Sequence, residues 1–93
     1  MTLLEIVRAN IRLTTDKLDE AEIQPIIDAC KLDMRISGVV KIEESDPLVV
    51  RAHIWYAKAN FGYDDKADKH QKRYESLRDS MAQSGLYAGD ADV

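Results

Sequence analysis

The sequence predicts an all-α fold, a small bundle of about four helices with one short extended connector around residues 39–42. Three observations carry that prediction. Apolar residues recur at spacings of three and four through the longer segments, start and stop signals bound those segments, and Gly and Pro are scarce, at four and two of 93 residues. At this length a single core must serve the whole chain. A chain so short removes only about 60–70% of its unfolded surface from water on folding, so association with other subunits is a natural supplement to its stability.

The first helix opens on Thr2-Leu-Leu-Glu5, a capping-box pattern in which hydroxyl and carboxylate satisfy each other's backbone donors. Leu3, Ile6, Val7 and Ile11 then make an apolar stripe, with Glu5 and Arg8 on other faces. Leu13-Thr-Thr-Asp-Lys17 favours turns and caps and reads as a connector. A second helix is expected over roughly 19–37, with Ile23, Ile26, Ile27, Cys30 and Met34 along its core face. Pro25 is awkward there, because it removes a donor and clashes with the preceding turn; either regular helix begins near Glu22 or an earlier start is bent. Ser37-Gly38 supplies the stop.

Val39-Val-Lys-Ile42 is β-branched and short, and as a strand it would need a partner from elsewhere. Asp46-Pro47 is a strong start for the third helix, since Asp accepts orphan backbone donors and Pro presets φ at the first helical position. That helix, to about Phe61, leaves only Arg51, His53, Lys58 and Asn60 polar, which implies burial on most sides. Gly62 ends it and Tyr63-Asp-Asp65 turns the chain. The fourth helix, about 66–83, is more polar, with Ala67, Tyr74, Leu77 and Met81 as a narrow stripe and Gly85 as a terminator. The expected organisation is therefore one helical domain over 1–85 and a loose tail over 86–93.

Chemistry-bearing groups are sparse. The two histidines lie on different helices, with no His or Cys pair at metal-ligand spacing. His53 reads as a partly buried structural or interface residue, and His70, beside Lys69, Gln71, Lys72 and Arg73, as solvated. Cys30 lies on an apolar stripe and reads as a core thiol rather than a nucleophile. The carboxylates sit where caps and loops use them, and no Gly-rich phosphate loop or calcium-loop spacing is present. No enzyme, cofactor or metal is expected. Thirteen basic against seventeen acidic residues give a net charge of -4, which supplies no global attraction for nucleic acid or an anionic membrane. With one cysteine, no secretory pattern and no long apolar run, the chain is expected to be a soluble cytoplasmic product.

Two surfaces remain. Lys66, Lys69, Lys72 and Arg73, spaced mainly at threes, make a basic face on the fourth helix; it reads as a solvated face, a protein interface or a local phosphate contact. Trp55 and Tyr56 are core aromatics or interface anchors, because their helix is very apolar for so small a chain.

The stretches Asp19-Glu-Ala-Glu-Ile-Gln-Pro-Ile-Ile-Asp-Ala-Cys30 and Asp46-Pro-Leu-Val-Val-Arg-Ala-His-Ile-Trp-Tyr-Ala-Lys-Ala-Asn-Phe-Gly62 resemble the small head-tail connector proteins of tailed bacteriophages, also called adaptor or head-completion proteins. Tyr63-Asp-Asp65 and Lys72-Arg-Tyr-Glu-Ser-Leu77 extend the resemblance, which covers about residues 1–85. The resemblance implies a structural virion protein, assembled in the host bacterial cytoplasm, that forms a ring of commonly about twelve copies. The ring would dock on the portal protein after DNA packaging, carry the head-closure (stopper) or tail-completion protein, and let DNA pass without sequence-specific binding. Trp55, Tyr56, Phe61, Tyr63, Leu86 and Tyr87 are then the candidate subunit or portal contacts. The alternative is a helical nucleic-acid-binding regulator that uses Lys66, Lys69, Lys72 and Arg73.

Overall fold

A computed structural model of the chain describes residues 2–11, 20–61 and 66–88. Its elements are α1 (Leu3–Ile11), α2 (Glu20–Ile36), α3 (Pro47–Phe61), α4 (Ala67–Ala82) and the single turn α5 (Gly85–Ala88). No strand occurs among the described residues. The all-α class holds, with a fifth, very short helix added to the four expected. The connector expected at 13–17, the stop at Gly62 and the turn through Tyr63 lie outside the described residues.

The helix ends follow from local chemistry. Thr2 N–H donates to Glu5 Oε1 at 2.8 Å and Glu5 N–H to Thr2 Oγ1 at 3.2 Å, so the capping box closes α1 as its sequence requires. Asp46 Oδ1 accepts from Leu48 N–H at 2.8 Å and Val49 N–H at 3.3 Å, which starts α3. Helix α2 begins at Glu20 and continues through Pro25, so regular helix starts earlier than Glu22. It ends where Gly38 takes φ +106°, with Gly38 N–H on Arg35 O at 3.1 Å and Val39 N–H on Met34 O at 2.8 Å. This is a Schellman ending, and Val39 packs beside Met34 in the core, as that motif favours.

Helix α3 is the centre of the molecule, packing on α1, α2 and α4. Two apolar clusters meet along it. One gathers Leu3, Val7 and Ile11 of α1, Ile23 and Ile27 of α2, and Ala57. The other gathers Cys30 and Met34 of α2, Val39, Val49 and Ala52, and Tyr74 and Met81 of α4. A helix with partners on two sides needs apolar residues around much of its circumference, which explains the nearly continuous apolar run of α3. Full burial of each large aliphatic side chain in these clusters stabilises the fold by about 1.5–3 kcal/mol. A polar tie adds to the α2–α4 contact, where Asp33 Oδ2 accepts from the Tyr74 hydroxyl and, at 3.0 Å, from Arg78.

The tail boundary expected at residue 86 falls inside a helical turn. Helix α4 ends at Ala82 and Gly85 begins α5 instead of terminating α4. Tyr87 O accepts from both Val40 N–H at 2.8 Å and Lys41 N–H at 3.0 Å, and the Tyr87 hydroxyl donates to Asp46 at 3.0 Å. The extended connector therefore finds its partner in α5, and no strand is needed to satisfy those two donors.

A candidate interaction surface

The outward side of α3 carries Arg51, Ile54, Trp55 and Lys58, which successive helical turns bring into one line. Trp55 is only half-buried. One face of its indole stacks on His70 of α4, with centroids 5.5 Å apart and planes 16° from parallel. The Arg73 guanidinium lies 5.0 Å from the ring and the Lys58 ammonium 5.6 Å, distances at which the ring quadrupole attracts a cation. Trp55 is thus a surface aromatic leaning on the core. His70 is buried at 7% exposure, contrary to the solvated position expected from its basic neighbours: the indole covers it from across the helix pair. His53 is buried as well, at 1%.

Two open grooves meet at Arg51 and Trp55. One, of about 490 Å³, runs between α1 and α3 past Asn10, Ile54 and Lys58. The other, of about 510 Å³, follows α3 and α4 past Lys72, Arg73, Ser76 and Ser80. Neither is lined by a carboxylate. Lys66, Lys69, Lys72 and Arg73 are all exposed; at 100° per residue Lys66, Lys69 and Arg73 share one side of α4, while Lys72 lies at its edge beside Asp68 and Asp79. Of the four, Lys72 and Arg73 join Arg51 and Lys58 at the grooves, so four cations surround Trp55.

The other expected contacts are dispersed. Tyr56 packs edge-on against Tyr74, 4.9 Å between centroids, on the core side of α3. Leu86 is 75% exposed, next to Tyr87, whose hydroxyl is held by Asp46. Tyr63 and the side chain of Phe61 lie outside the described residues.

A second surface was not anticipated. Pro25, Ala29, Leu32 and Ile36 are all exposed, Leu32 to 59% and Ile36 to 77%. They recur at i, i+4, i+7 and i+11, a spacing that aligns them on α2 directly opposite its core stripe of Ile23, Ile27, Cys30 and Met34. The signal was present in the sequence as a second apolar register offset by half a turn.

Burial pushes the Cys30 thiol up to about 12, so it stays protonated and unreactive. Burial also lowers the His53 pKa, against the hydrogen bond between its Nδ1 and Val49 O at 2.8 Å. Among the described residues no group of three His, Cys, Asp or Glu side chains could hold a metal, and no helix is long and apolar enough to cross a membrane. No characterised protein sequence and no solved structure matches the chain. The family model described as phage connector protein matches residues 3–87, from the first residue of α1 to the tyrosine that ties α5 to the connector. The chain therefore belongs to the phage connector protein family, whose members are structural proteins of the virion.

Proposed function

We propose that the chain is a head-tail connector subunit that works as a homo-oligomeric ring. The ring, of about twelve copies, docks on the portal after DNA packaging and carries the head-closure or tail-completion protein. DNA passes through it without sequence-specific contact. Family membership supports the structural role. The observation that carries the assembly is the exposed apolar stripe of α2, where no described residue covers Leu32 or Ile36. The same consideration applies to Trp55, an aromatic anchor with cations around it. Trp55, Tyr56, Phe61, Tyr63, Leu86 and Tyr87 are the proposed subunit or portal contacts.

Co-sedimentation with DNA-filled heads that carry the portal tests this reading. Stoichiometric retention on such heads is expected, and none on heads lacking the portal. Absence of the chain from portal-bearing heads at every concentration would contradict it. A nucleic-acid-binding regulator is the second reading, favoured by the exposed row of Lys66, Lys69, Lys72 and Arg73. It requires duplex binding whose affinity falls steeply with salt, against a net charge of -4.

A further inference from the structure

We infer that the α2 stripe of one copy seats in the basic Trp55 grooves of the next, a head-to-tail contact between two different faces of the same chain. This assignment rests on the ring reading above and deepens it. The stripe is a ridge: Leu32 and Ile36 stand 59% and 77% exposed along one line of α2. The receiving face is concave and apolar at its floor, where Ile54 and Trp55 line one groove and Trp55 and Leu77 the other. A ridge of aliphatic side chains entering a groove beside an indole is ordinary helix packing.

Charge decides between this pairing and its rivals. Asp28 and Glu22 flank the stripe, and Glu43 is exposed in the connector beyond its end; Arg35 and Lys41 are the cations near it, and Glu44 is paired with Lys31. The grooves are rimmed by Arg51, Lys58, Lys72 and Arg73. Stripe against stripe would bring acidic flanks together, and groove against groove would crowd cations; stripe in groove pairs opposite signs. A contact between unlike faces leaves one of each unused at every step, so it propagates and closes when the rotation between copies allows. Two patches that look unrelated on one subunit are thereby halves of one interface.

Two double variants separate the halves: Leu32→Glu with Ile36→Glu removes the ridge, and Arg51→Glu with Lys72→Glu inverts the groove rim. All four side chains are exposed, and circular dichroism checks that each variant keeps its helices; Leu32→Ser with Ile36→Ser and Arg51→Gln with Lys72→Gln replace any that does not. Association is read by native mass spectrometry from micromolar to millimolar chain, alone and on isolated portal. Each variant by itself is expected to associate at least about tenfold more weakly than the parent chain. Mixed together, they regain one intact ridge and one intact groove, and are expected to form a 1:1 pair that stops there. A groove variant that still self-pairs would show a stripe-to-stripe contact and overturn the assignment. If the parent chain associates in either setting and both variants do so equally, the assignment fails while the ring reading stands. If the parent chain associates in neither, both fail. Duplex DNA bound by the parent chain and released by the groove variant, with association unaffected, would reassign the grooves to nucleic acid and overturn the proposal.

Discussion

At the scale of single residues, His53 and Trp55 do different work from neighbouring positions on the same helix. His53 is buried with Nδ1 on Val49 O, so that nitrogen carries the proton and Nε2 is left without a partner. Burial holds its pKa below the ordinary 6.5. The folded form therefore resists a proton that the unfolded chain accepts, and the resulting stability is full above pH 6.5 and is lost as pH falls toward the folded pKa. Thermal melting is expected to be flat above pH 6.5 and to decline below it, before the carboxylate range near about 4 is reached. Replacement by Leu should flatten that decline; a slope unchanged in His53→Leu would assign the effect to other groups. Trp55→Ala should cost about 1–2 kcal/mol in chemical denaturation, less than the 3–5 of a fully buried ring, because only part of the indole is covered. It should also expose His70 and weaken association more than it weakens the fold.

At the scale of elements, Asp46 is a junction. Its carboxylate caps α3 through Leu48 and Val49 and also accepts the Tyr87 hydroxyl at 3.0 Å. Asp46→Ala is expected to destabilise by about 1–2 kcal/mol through the lost cap, and to accelerate amide exchange at Val40 and Lys41 because α5 loses its anchor. Tyr87→Phe should reproduce the exchange change with little loss of global stability; a uniform effect on all helices in either variant would contradict this division. The caps at Thr2, Ser37-Gly38 and Asp46-Pro47 were legible in the sequence because each is settled within five residues of chain. The bond from Tyr87 to the connector was not, since it joins positions more than forty residues apart and rests on a backbone carbonyl that any residue supplies. For the same reason Gly85 read as a stop, and residues 86–88 as tail. His70 was misplaced because its cover comes from another helix. The α2 stripe was legible but hidden behind the question of Pro25, which is one of its own members.

At the scale of the whole molecule, the chain divides its apolar residues between two tasks. One set fills the two clusters on either side of α3; the other, on α2 and at Trp55, remains on the surface, with cations around Trp55. An isolated subunit of this size has a modest core, and the proposed docking on a symmetric partner would stabilise it by mass action. Its melting temperature is accordingly expected to rise when portal is added in excess, and to stay unchanged with an unrelated ring of similar charge. Since the proposed contact between copies has exposed charges at its rim, association should weaken as salt rises from low to physiological strength. Electron microscopy of portal mixed with the chain tests the central claim most directly. A closed ring of density coaxial with the portal, with one α2 facing one Trp55 surface at each subunit boundary, is the result predicted. Portal particles without added density at saturating chain would contradict it.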